Sequence, residues 1–208
     1  LSTGVRSRLP FTVSTFAGQT PIDGTRAIVY EFVYGTKLGL GELRGRDGLA
    51  SSIGRAIAAI HALPTSFIAD AGLPALSPVE ILRSVVSIMD RASATSLVPS
   101  ALIGRWERAA EDSALWQFAP TVINGTLAAD SFLSAQEEVT GVLGWSGLSV
   151  GDPARDLHWL LGVRGDATAD TAIDAYIRTR GTSDRQLTQR AMLYRELEIA
   201  KWLLHGTQ

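Results

Sequence analysis

The side chains that could carry chemistry gather between residues 121 and 157, where Asn124, Thr126, Asp130, Ser131, Asp152 and Asp156 follow one another. Carboxylates in such a stretch can take a proton, orient a hydroxyl or ligate a hard divalent cation. Asp152 stands between Gly151 and Pro153, which reads as a turn, a proline in a first helical turn and an acid near the positive helix end. Asn124-Gly125-Thr126 is in form a glycosylation acceptor, but no secretion signal accompanies it, and an Asn-Gly turn accounts for it better. His61, His158 and His205 are too scattered for a local metal cluster. With no cysteine, disulfides and thiolate metal sites are excluded. The glycines at 35, 39, 41, 45 and 48 lack both the spacing and the strand-then-helix frame of a dinucleotide fingerprint, and read as a flexible connection.

Around these residues the chain is of ordinary globular composition. It has 208 residues, 46% of them hydrophobic and 19% charged, enough for one domain or one large lobe plus a fragment of a second. A net charge of -2 and a pI near 5.9 give no electrostatic footprint for nucleic acid, and the densest basic spot holds only Arg44 and Arg46. No apolar run reaches membrane-spanning length, so no membrane partner is expected and the cytoplasm is the default location. Leu1 stands where an initiator Met would, and the expectation is that an earlier part of the protein precedes it.

Short strands are expected in the first third, at 11–16 and 27–33, with a turn-rich segment at 18–24 between them. Apolar residues recur at helical spacing over 49–63, ending at Pro64. Ser77-Pro78-Val79-Glu80 opens a second helix with a good cap and an acid for the dipole, and a third runs from Pro99 through Trp106 to about residue 110. Strands return at 121–123, 131–133 and 139–145, with Glu137 and Glu138 as solvated turn residues. Helices follow at 153–161, 167–180 and 184–204. His61 reads as a core or boundary residue, and His158 and Trp159 as packing residues. The five tryptophans (106, 116, 145, 159, 202) read as core anchors, with a cover over a nucleotide cleft as the other reading of Trp145.

Three blocks of the 121–157 stretch resemble the active-site segment of the aminoglycoside/macrolide phosphotransferase family, which has a protein-kinase-like fold. They are Asn124-Gly125-Thr126-Leu127 with Ser131 and Leu133, then Gly141-Val142-Leu143-Gly144-Trp145, then Gly151-Asp152-Pro153-Ala154-Arg155-Asp156-Leu157. Residues 29–35 are similar to the family's hinge strand and 54–63 to its Leu-His helix, so the likeness covers nearly the whole chain. The resemblance implies an α+β, kinase-like C-terminal lobe, mostly helical with a short β hinge and a β-ribbon. Residues 1–35 would be a remnant of the N-lobe strands and hinge, and 36–208 the helical lobe with the catalytic loop. It also implies ATP and Mg²⁺ as cofactors and a hydroxyl-bearing small molecule as acceptor, with the backbone of Glu31, Phe32 and Val33 at the nucleotide and Asn124, Asp152 and Asp156 as structural supports of the loop.

The departures fall on the reagents. Thr126 stands at the family's catalytic aspartate, Ser131 and Gly144 at its metal-ligand positions, and Asn124 at the loop histidine. Phosphoryl transfer is mostly positioning and charge neutralisation. An alcohol is a poor base near neutral pH, losing a general base costs about two to four powers of ten, and glycine offers Mg²⁺ no ligand. The expectation is a catalytically impaired pseudokinase that binds a nucleotide, small molecule or partner, with Mg²⁺ disfavoured. Two alternatives stand beside it: an active ATP-dependent phosphotransferase using substitutes such as Asp130 or Asp152, and a structural or interaction subunit whose cleft is unused.

Overall fold

A computed structural model describes residues 1, 3–163, 167–181 and 184–206. In chain order its elements are α1 (Thr3–Arg6), β1 (Thr12–Val13), β2 (Phe16–Ile22), β3 (Thr25–Tyr30), β4 (Thr36–Lys37), α2 (Asp47–His61), α3 (Ser66–Asp70), α4 (Pro78–Ala94), α5 (Ser100–Glu111), β5 (Thr121–Ile123), β6 (Phe132–Ala135), β7 (Glu138–Val142), β8 (Ser149–Gly151), α6 (Thr168–Arg180) and α7 (Leu187–Gly206). The fold is mixed α+β, mostly helical, with three small sheets. The chain divides into two units, each assembled from three segments.

The first unit comprises residues 1–60, 128–144 and 163–180. Its four-stranded sheet has the order β1-β7-β6-β4, with β6 and β7 a hairpin, β4 antiparallel to β6 and β1 parallel to β7. A separate ribbon, β2–β3, turns at Asp23 (φ 44°) and Gly24 (φ 80°), the two left-handed residues of a tight hairpin. Residues 18–22, expected in a turn, are thus strand. Both faces of that ribbon are largely exposed, so no alternation of apolar residues marks it in the sequence. Conversely the chain leaves strand at Tyr30, although the apolar run continues to Val33.

Helix α2 buries Leu49, Ala50, Ile53, Ala56, Ile57 and Ile60. Its start is held by Glu137, whose carboxylate accepts the Leu49 N–H at 2.9 Å and pairs with Arg46. These two bonds, the Arg46 one first, hold the Glu137 carboxyl below its ordinary value. Ser52 donates to Glu138 at 2.7 Å and accepts the Val139 N–H at 2.9 Å. Glu137 and Glu138 stand exposed at the β6–β7 turn, as expected of solvated turn residues, and also bracket α2 to the hairpin. A run of two acids carries no local sign of partners some 85 to 90 positions away.

On α2, a Cβ at Gly54 would lie 2.1 Å from the Ala172 carbonyl oxygen and 2.9 Å from the Tyr176 nitrogen, both backbone atoms of α6. Only glycine permits that approach, and backbone cannot swing aside. Gly54→Ala is expected to lower the unfolding free energy by about 1–3 kcal/mol, the usual cost of overpacking, read as a shift of the urea midpoint at unchanged slope.

The second unit comprises residues 61–127, 145–162 and 181–208. Helix α4 starts as its sequence dictates: Ser77 and Glu80 form a reciprocal capping box with Pro78 in the first turn. Its buried face (Ile81, Val85, Met89, Ala92) follows helical spacing. Helix α5 buries Trp106, whose indole donates to Glu196 of α7 at 2.9 Å.

Where a helix was expected at 153–161, two 3₁₀ turns stand, Pro153–Asp156 and His158–Gly162. Side chains divert the carbonyls an α-helix would use: the Trp159 indole donates to the Asp156 carbonyl at 3.0 Å, and His158 Nδ1 meets the Arg155 carbonyl at 2.7 Å. Burial holds the His158 pKa below its ordinary value. Helix α7 starts at Leu187, not 184, because the Asp184 side chain accepts the Gln186 N–H and holds a turn there. Trp106, Trp116 and Trp159 are buried, but Trp202 is 82% exposed, so it is no core anchor. No helix among the described residues is long and apolar enough to cross a membrane.

Candidate functional site

Strands β5 and β8 pair antiparallel, Thr121 opposite Gly151 and Ile123 opposite Ser149. This brings the loop after β5 next to the turns after β8 within the second unit. Gly125 is left-handed (φ 82°), and a Cβ there would lie 2.5 Å from the Gly147 carbonyl oxygen, so the loop requires glycine at that point. Asn124 is fully buried. Its Oδ1 accepts the Thr126 N–H at 3.2 Å and the Thr126 hydroxyl at 3.0 Å, a turn closed by its own side chains. Buried there, Asn124 is no site for a glycan.

Two buried carboxylates sit behind this loop. Asp156 accepts the Asn124 N–H at 2.7 Å and the Gly125 N–H at 2.8 Å, and His61 Nε2 lies 3.1 Å from it. Both His61 and Asp156 side chains are fully buried. Asp152 accepts from Arg190 Nε at 2.8 Å, Arg190 Nη2 at 3.2 Å, Tyr194 Oη at 3.1 Å and the Ala154 N–H at 2.9 Å. Burial pushes the Asp152 carboxyl up from its ordinary value, against the pull of the Arg190 charge and these hydrogen bonds. Burial, and then the Asp152 charge, push the Tyr194 phenol well above its ordinary value. Arg190 also binds the Leu115 carbonyl and Asp184 and lies over the Phe118 ring. Against its own burial, Asp184 and Asp152 hold its pKa above the ordinary value.

Arg190, Tyr194 and Asp184 did not emerge from the sequence. They lie 28 to 42 residues beyond Asp152 and Asp156, Arg190 and Tyr194 in a helix with no motif of its own and Asp184 in the turn before it, and the sole signal was an arginine and a tyrosine one turn apart on α7.

The first unit holds the other sequence-identified residues. Ser131 ends a short 3₁₀ turn, Ala129–Ser131. Its hydroxyl accepts the Ala128 N–H at 3.1 Å and its carbonyl accepts the Leu143 N–H at 2.8 Å. Gly144 follows, left-handed at φ 72° and exposed, with open space where a Cβ would stand. Asp130 is exposed. Of the hinge residues, Glu31 donates its N–H to the Thr15 carbonyl at 2.8 Å, Phe32 is exposed and stacks edge-on against Tyr34 at 5.0 Å, and Val33 is buried. The three lie in extended chain outside β3. Gly35 (φ 142°) is packed against Thr140 and Leu133, and Thr140 donates to the Tyr34 carbonyl.

These donors fit Mg²⁺ poorly. The ion wants several hard oxygens, carboxylates among them. Gly144 has none, the Ser131 hydroxyl is engaged with backbone, and Asp152 is committed to Arg190 and Tyr194. Among the described residues no group of three or more His, Asp or Glu could hold a metal ion. The Thr126 hydroxyl donates to Asn124 and is no base at neutral pH.

A model described as "phosphotransferase enzyme family" matches residues 7–194. Among solved structures, a macrolide 2'-phosphotransferase type I superposes with a TM-score of 0.82 at 22% identity, over 98% of this chain and 70% of that one. The apoenzyme of macrolide 2'-phosphotransferase MphH from Brachybacterium faecium gives 0.80 at 22% identity, over 99% and 72%. The GDP and kanamycin complex of APH(2'')-IIIa, an aminoglycoside 2'-phosphotransferase, gives 0.82 at 19% identity, over 98% and 72%. At these identities the likeness is one of fold. Comparison with curated protein sequences gave no match.

Proposed function

The chain belongs to the phosphotransferase enzyme family, and from that premise we propose that it is a pseudokinase, a family member impaired in phosphoryl transfer that acts by binding. The observation that carries this reading is the joint replacement at Thr126, Ser131 and Gly144. Two of these side chains are turned to local structural use and the third is absent. The loop's supports, Asp152 and Asp156, are meanwhile fully engaged. A site that keeps its supports without its reagents can still position a ligand, because positioning needs shape and hydrogen bonds rather than a base or a metal.

The ligand classes that fit are a nucleotide, a small hydroxylated molecule or a protein partner. GDP in the solved relative supports the first and kanamycin the second. Residues 1–35 belong to this reading as a remnant of the nucleotide lobe and hinge, with Glu31, Phe32 and Val33 facing the base, and 36–208 as the helical lobe. A cytoplasmic location goes with a nucleotide ligand.

Calorimetry of ATP with and without Mg²⁺ tests the proposal. ATP is expected to bind equally in both conditions, with no turnover when hydroxylated acceptors are added. Tightening by Mg²⁺ of about tenfold or more (~1.4 kcal/mol), or acceptor-stimulated turnover, overturns it and points to Asp130 as a substitute ligand. Absence of any nucleotide binding leaves the partner-binding form. The triple change Thr126→Asp, Ser131→Asn, Gly144→Asp is expected to create Mg²⁺-dependent ATP binding. It does so at a strain of about 1–2 kcal/mol, because residue 144 is left-handed. A folded triple variant with unchanged binding counts against assigning these three positions to the reagents.

A further inference from the structure

The second unit holds a cavity of about 240 Å³ beside β8, with Arg155 of the 151–157 block in its lining. Its walls come from α4 (Ile81, Val85, Ile88), from the strands (Ile123, Val150) and from Leu197 of α7, all apolar. The lining also includes Arg155 and Lys201, with Ser84, Ser149 and Tyr194. The two cations differ in state. Lys201 is ion-paired with Glu198. Among the described residues Arg155 has neither a hydrogen bond from its guanidinium nor an ion pair, although the side chain is half-buried. Its neighbour Asp156 is spent on the loop, and Asp152 already serves Arg190 and Tyr194.

A half-buried guanidinium is a fork of fixed donors that matches a carboxylate with two parallel bonds, and leaving it unpaired wastes charge-assisted hydrogen bonds. Ile81, Val85, Ile88 and Leu197 offer an apolar body a surface to pack against. We propose that this cavity binds a small carboxylic acid with a compact apolar body, its carboxylate held by Arg155 and its body packed against Ile81, Val85, Ile88 and Leu197. The volume sets the size. It exceeds the roughly 150 Å³ apolar cavity that takes up benzene, which leaves room for an aromatic or branched aliphatic acid. The site needs neither nucleotide nor metal, so it stands apart from the pseudokinase reading and is tested without either.

The experiment uses the whole chain, with benzoate as probe and benzamide as its neutral match of equal shape, in a buffer free of nucleotide and divalent cations. Binding is followed by methyl NMR of Ile81, Val85, Ile88 and Leu197. Benzoate is expected to shift these methyls saturably and to bind about tenfold tighter than benzamide. Arg155→Gln should erase that preference at an unchanged melting temperature. Arg155→Lys keeps the charge but not the fork, so it should retain only part of the preference and covers the case of a misfolded glutamine variant. Equal affinity for the two probes, no saturable shift with either, or shifts confined to methyls outside these walls overturns the proposal.

Discussion

Replacing Arg190 by Met is expected to lower the unfolding free energy by about 3–5 kcal/mol at neutral pH, the usual cost of stripping one partner from a buried ion pair. Arg190 is fully buried and joins Asp152, Asp184 and the Leu115 carbonyl at one point. Met fills the volume of the stem but leaves Asp152 in a dry site with only the Tyr194 hydroxyl and the Ala154 N–H.

The sign of the pH dependence follows. Burial already raises the Asp152 carboxyl, and the charge and hydrogen bonds of Arg190 are what oppose it. Without them the folded-state pKa rises further above the unfolded value of about 3.9. A carboxyl raised on folding contributes stability that is fully present below its unfolded pKa and lost as pH rises through its folded pKa. The deficit of Arg190→Met is therefore largest at neutral pH and shrinks as pH falls toward the ordinary carboxylate range. Urea unfolding of both proteins across that range checks it. A deficit constant with pH would mean that Asp152 keeps its charge by another route.

Asp156→Ala is expected to cost at least about 3 kcal/mol, because three donors lose one acceptor together. They are the Asn124 and Gly125 N–H groups and His61 Nε2, all buried, and each unsatisfied buried donor costs about 1–3 kcal/mol. Asp156→Asn keeps the shape with one acceptor oxygen in place of two, so it should fall between wild type and alanine. The two losses differ in reach. Hydrogen exchange at the Asn124 and Gly125 amides should accelerate in Asp156→Ala well beyond what the global loss of stability accounts for, since their acceptor is gone. In Arg190→Met the same amides should follow global stability. Equal protection in both variants would show that the loop is held by something other than Asp156.

How far the chain could be read in advance varies with the range of the interactions. The start of α4 was legible because a capping box is complete within Ser77, Pro78 and Glu80. The core face of α2 was legible because helical spacing is a local property. The 3₁₀ turns at 153–162 were not, since the decisive contacts are side chains competing for carbonyls, and composition does not rank that competition. The strand through 18–22 was missed because a ribbon exposed on both faces has no apolar alternation. Trp202 shows the limit of residue-type reasoning, an aromatic left 82% exposed on α7.

For the candidate site, the sequence alone determined what two of the positions cannot do. A glycine at 144 has no ligand and a threonine at 126 is no base in any conformation, and the motif spacing fixed where to look. Only the tertiary structure decided what the remaining groups do instead. Asn124 closes on Thr126, Ser131 on Ala128, and Asp152 is taken up by an arginine 38 residues further on. The physical reason is that chemical capacity belongs to a residue, whereas pairing depends on which buried partners the folded chain brings within about 3 Å, and no local pattern encodes that.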